Sequence, residues 1–171
     1  MAILGIEPVV DGLVAKLQAD LPAAIDAVNA QVTDGLTVDR GALQVLDHVP
    51  HILTLHQWPT IGVAEGPSIA EDDTGFEFTE VDELHVVCYL QDADQQALAR
   101  RLRRLRLAVV RVCLSGGRVI PSVVPGTNAA WGVTLRRIDP GQTLGEAEAE
   151  HVKTWMSSVR VVIGCKSDQV G

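Results

Sequence analysis

Apolar residues recur at three- and four-residue steps from the start of the chain. Ile6, Val9, Val10, Leu13, Val14, Leu17 and Leu21 share one face, which predicts a helix over residues 6–30. Pro8 suits its first turn, where a missing N–H is harmless. Pro22 interrupts the pattern and is expected to kink or divide the helix, with Asp20 capping a second piece that carries Ile25 and Val28. Residues 31–59 lose the period. Gly35, Gly41, Pro50 and Pro59 punctuate a long connection, with one helical turn expected near Gly41–Leu46.

The period then changes. Thr60–Ala64 reads as a strand, and Val81–Gln91 as another, whose run Val86-Val87-Cys88-Tyr89-Leu90 fits a central strand. Between them Glu65, Glu71, Asp72, Asp73, Glu77 and Glu80 form an acidic excursion at 65–83, turned by Gly66, Pro67 and Gly75. Residues 92–114 return to helical spacing, with Asp92 or Asp94 as cap. Leu98, Leu102, Leu105, Val109 and Val112 stay within about 40° of one line, a narrow seam toward a core. Arg100, Arg103, Arg104, Arg106 and Arg111 point away from it, and Arg101 sits at its edge.

After a Gly116-Gly117 turn and a Pro-bounded piece (Pro121, Pro125), two more strands are expected. Trp131, Val133 and Leu135 alternate with Gly132, Thr134 and Arg136; Trp155, Val159, Val161 and Ile163 share a parity, opposite Arg160 and Val162. The link 139–150 is too short for a helical crossover, so the pair is antiparallel across a long hairpin loop. Helix, strands, helix, strands predicts a single α+β domain over residues 1–171, with two helices on one face of a mostly antiparallel sheet.

Composition agrees with one core. The 171 residues are 47% apolar and only 4% aromatic, which implies aliphatic packing. Three cysteines without C-x-x-C spacing argue against a disulfide framework or a standard zinc site. No apolar run approaches the ~20 residues of a membrane span, and Glu7 and Asp11 occupy the place of a signal peptide's apolar stretch, so the chain is expected to be made in the cytoplasm with reduced thiols. The net charge of −8 opposes nucleic-acid binding by the overall field. Its distribution is uneven: six of the 14 basic side chains fall between Arg100 and Arg111.

Candidate chemistry is sparse. His48, His51 and His56, near Asp47, match no familiar metal-ligand spacing. Cys88 and Cys113 sit at apolar positions, where thiols are inert. The segment Glu71-Asp72-Asp73-Thr74-Gly75 lacks the ligand pattern of an EF-hand loop, and Ser115-Gly116-Gly117-Arg118 lacks the ending of a phosphate loop. No cofactor and no catalytic residue is expected. The arginine strip has three readings: a solvated face, a nucleic-acid contact, or a contact with an acidic surface on a neighbouring subunit or partner. The chain supplies such a surface itself, in Glu71, Asp72, Asp73, Glu77, Glu80, Asp82 and Glu83. Strip against loop would make a head-to-tail contact able to close a ring.

The order of features resembles the tail terminator and related neck proteins of long-tailed bacteriophages with flexible, non-contractile tails, above all those of phages of actinobacteria. The likeness lies in an N-terminal helix (Leu13-Val14-Ala15-Lys16-Leu17 through Leu21-Pro22-Ala23-Ala24-Ile25) and the lead Gln57-Trp58-Pro59-Thr60-Ile61 into a strand. The acidic hairpin, the strand running into an Asp-capped Arg-rich helix over 84–114, and a two-strand C-terminal half complete it. The resemblance implies a homo-oligomeric, hexameric ring at the head-proximal end of the tail. Such a ring stops tube polymerisation and contacts the tail tube protein and a head-side connector. DNA passes through an acidic lumen without specific binding. It implies a virion protein without catalytic residues, with 31–56 and 139–150 as partner-binding excursions. The alternatives are another neck or head-completion protein, a non-viral binding module, and a metalloenzyme built on the histidine cluster.

Overall fold

The structure, a computed structural model, describes residues 7–72, 78–123, 130–148 and 151–167. Helix α1 (Glu7–Asn29) is one piece with Pro22 inside it. The expected division at Pro22 does not occur. Leu13, Leu17, Leu21, Ile25 and Val28 form one buried seam spanning the proline, and packing along that seam outweighs one lost backbone bond. Asp20 therefore caps nothing.

Six strands follow the order β1-β2-β3-β6-β5-β4: β1 (Gln44–Leu46), β2 (Thr60–Asp72), β3 (Phe78–Asp92), β4 (Val119–Pro121), β5 (Ala130–Glu148) and β6 (His151–Ser167). Only the β1–β2 pair is parallel. Helix α2 (Gln95–Leu114) lies between β3 and β4 in sequence, and both helices pack on one face of the sheet. The fold is α+β, as expected.

Three expectations are corrected. Gln44–Leu46 is a strand at the sheet edge, paired with Thr60–Gly62, not a helical turn; a one-turn 3-10 helix instead occupies Ile52–Thr54. The 65–83 excursion is strand over most of its length, since β2 and β3 stay paired as far as Asp72↔Phe78. The 139–150 link is likewise ladder up to Glu148↔His151. Backbone hydrogen bonds hold such rungs whatever the side chains carry.

Strand β3 explains the two faces. Leu84, Val86, Cys88 and Leu90 enter the main core with Leu98, Leu105 and Val109 of α2 and Val161 and Ile163 of β6. Val87 and Tyr89 point the other way and form a second cluster with Ile52, beneath a strap at 50–58. The Tyr89 hydroxyl donates to the Pro50 carbonyl at 2.7 Å and pins the strap.

Strand β5 carries two bulges against β6, one between Leu135 and Arg137 and one between Pro140 and Thr143. Each inserts an extra residue: the first changes the helix-side positions from Trp131, Val133 and Leu135 to Ile138 and Pro140, and the second changes them back to Thr143.

Gly12 shows how closely α1 lies on the sheet. A Cβ there would meet the Pro121 carbonyl oxygen at 2.6 Å and Ile120 Cγ2 at 2.9 Å. Glycine to alanine in a helix ordinarily gains about 1 kcal/mol. Here the sign should reverse: Gly12→Ala is expected to lose about 1–3 kcal/mol through overpacking. A thermal melt decides it, and a raised midpoint would contradict the close approach.

Candidate functional site

The arginine strip lies on α2 as expected, with Asp94 as N-cap: its carboxylate accepts from the backbone N–H groups of Gln96 and Ala97 at 2.7 and 3.0 Å. These two bonds hold the Asp94 carboxyl below the usual range. Asp92, the other cap candidate, pairs with Arg101 instead.

Most of the strip is engaged within the chain. Arg104 donates to the Leu36 carbonyl and to Asp34 Oδ2, the latter at 2.7 Å. Arg100 reaches the same carboxylate at 3.4 Å, and Arg111 reaches the Gln31 amide oxygen at 3.4 Å. The Arg104 bond, helped by the Leu36 backbone N–H, lowers the Asp34 carboxyl to about 2. Asn29 closes the same segment, accepting from the Val38 N–H and donating to its carbonyl, both at 2.8 Å. Residues 31–38, the first part of the long connection, are thus tied between the helices. Arg103 and Arg106 have no such partner among the described residues. They flank a groove of about 350 Å³ between α2 and the bulged part of β5.

Of the acidic candidates, Glu83 is not a loop carboxylate. It is 3% exposed, on the sheet face opposite the helices. One oxygen is 3.3 Å from Arg137 Nη1, and the other is 3.7 Å from His85 Nε2. Asp139 holds Arg137 Nε at 3.2 Å. A Cβ on Gly66 would come 2.6 Å from His85 Nε2, so that glycine leaves room for the imidazole. Sequence reasoning missed this cluster, although Glu83, His85, Val87 and Tyr89 alternate with Leu84, Val86, Cys88 and Leu90. The side chains of Glu71, Asp72, Glu80 and Asp82, and residues Asp73 and Glu77 entirely, lie outside the described residues.

His48, His51 and His56 lie exposed near the strap. His48 Nδ1 is 3.0 Å from Asp47 Oδ1, and His51 Nδ1 accepts from the Leu53 N–H at 3.3 Å. Among the described residues no three His, Cys, Asp or Glu side chains converge as metal ligands. Cys88, Cys113 and Cys165 are buried free thiols. Burial pushes the Cys88 thiol far up and Cys113 up to about 12, so neither supplies a thiolate near neutral pH. Among the described residues no helix is long and apolar enough to cross a membrane.

Neither the protein-family models nor the curated proteins give a match to this chain. Among solved structures, a chain from the virion of a native gene transfer agent particle is similar to it, at 13% identity and a TM-score of 0.46 over 97% of this chain and 98% of that one.

Proposed function

We propose that this chain is a structural subunit of a ring in a phage-like virion, at the head-proximal end of a tail tube. There it would end tube polymerisation and join the tube to the head-side connector. The observation that carries the reading is the disposition of the two long hairpins. The β2–β3 ladder runs on beyond the rung Val81↔Lys166, while the β5–β6 ladder runs on beyond the opposite rung, Asp92↔Trp155. The two arms therefore leave the sheet at opposite ends and on opposite sides of its centre. A two-stranded hairpin is marginal by itself. Two arms at unlike places on one subunit suit a heterologous, head-to-tail contact, which closes into a ring when the rotation allows.

The order of elements supports the same reading. The buried, protonated thiols and the scattered histidines favour a structural role over a catalytic one. The excess acid of the chain would let DNA traverse the ring without adhering. Sedimentation of the purified chain, alone and with a polymerising tube protein, tests the proposal. The expected result is a closed particle, six times the 18.3 kDa chain in mass, that shortens the tubes it caps. A chain that stays monomeric at every concentration and leaves tube length unchanged would refute it.

A further inference from the structure

The helical layer covers Trp131 and Val133 at one end of β5 and leaves the stretch from Leu135 to Pro140 open. On the helix side of that strand Leu135 is 40% exposed and Ile138 38%. The groove between this stretch and α2 has an apolar lining that includes Leu102, Ile138, Pro140 and Val159. Arg103 and Arg106 stand on its helical wall, the two strip arginines left without a partner among the described residues. An apolar trough beside two such guanidiniums suits a segment that is both apolar and acidic.

The chain contains such a segment. Between Ile69 and Val81 the sequence holds Glu71, Asp72, Asp73, Glu77 and Glu80, no basic residue, and both phenylalanines of the chain, Phe76 and Phe78. Its own copy of the segment leads away from the groove. Val81 sits beside Lys166, whereas the groove sits beside Ser157–Val159. Those stations are separated by roughly 25 Å of β6, at about 3.3 Å per residue.

We infer that the groove between α2 and β5 receives the acidic β2–β3 arm of a second copy of this chain, with Arg103 and Arg106 meeting its carboxylates. The inference rests on the ring reading above and names the contact that propagates the ring. The strip is thereby divided in two. Arg100, Arg101, Arg104 and Arg111 brace their own chain, and Arg103 and Arg106 face the neighbour.

Disulfide trapping tests it on the full-length chain. Mixing an I138C chain with an F78C chain under mild oxidation should give a cross-linked dimer, and one chain carrying both changes should give a ladder. Neither substitution touches the arginines, and the native cysteines are buried. R103E/R106E in the I138C chain should reduce the cross-link about tenfold or more. E71R/E77R in the F78C chain should restore it, and thermal melts check that each variant is folded. Rings that form without the 78–138 cross-link would overturn the inference and leave the ring standing. A cross-link from position 138 to a tube protein instead would overturn it in favour of that occupant. A chain that neither assembles nor cross-links would overturn both.

Discussion

Leu105→Ala should cost on the order of 2–5 kcal/mol in chemical denaturation, the range for emptying a tightly packed leucine site. Leu105 is 0% exposed at the centre of α2. It lies in the main core with Cys88 of β3, Val161 of β6 and the buried seam of α1. Leu107→Ala, two positions on, should change stability by no more than about 0.5 kcal/mol, since that side chain stands at the surface. The contrast is the test. Equal losses from the two substitutions would mean that α2 is rotated about its axis from the arrangement described.

The second large effect belongs to the polar face. Glu83 is buried, with Arg137 as its nearest cation and one oxygen lacking a hydrogen-bond partner among the described residues. Arg137→Met should therefore destabilise the fold by about 1–3 kcal/mol, because a buried carboxylate is left unpaired. The Arg137 side chain is 49% exposed, so water reaches its side of the pair and keeps the loss below that of a fully enclosed ion pair. Adding Glu83→Leu should recover most of the loss, since removing both partners relieves the desolvation that removing one exposes. A double-mutant cycle measures the coupling. If the double variant is the least stable of the set, Glu83 serves the fold by some route other than Arg137.

What the sequence revealed follows from how strongly each element depends on its side chains. The seam of α2 was legible because Leu98, Leu102, Leu105, Val109 and Val112 must all be apolar to be buried. The centre of β3 was legible because both its faces are covered, one by the helices and one by the strap. The outer parts of β2 and β3 were hidden. Their ladder is a backbone structure, and acids such as Glu71 and Glu80 sit on it without any apolar alternation to betray it. Strand β1 escaped because three residues are too few for a period. In β5 the bulges break the alternation that identifies a strand.

The candidate site divides in the same way. Six arginines in one helix are visible in any reading, but Asp34 lies 66 and 70 positions from Arg100 and Arg104, beyond any local rule. Glu83 falls where the expected strand Val81–Gln91 and the expected acidic excursion 65–83 overlap, and its charge groups it with the acids preceding it. Period-two alternation within that strand sets Glu83 beside His85, on the face turned away from the helices.

The bulges in β5 also act as slack. Arg136 is the extra residue of the first, with Leu135 opposite Ile163 and Arg137 opposite Val162 on either side of it. Removing Arg136 would iron the strand flat and leave every rung on both sides with its present partner. Removing Val162 from β6, where the count is regular, would force each rung on one side to find a new partner or to open a new bulge. The two strands of one hairpin thus differ in their tolerance of length: β5 holds spare residues that it can surrender, and β6 at that position holds none.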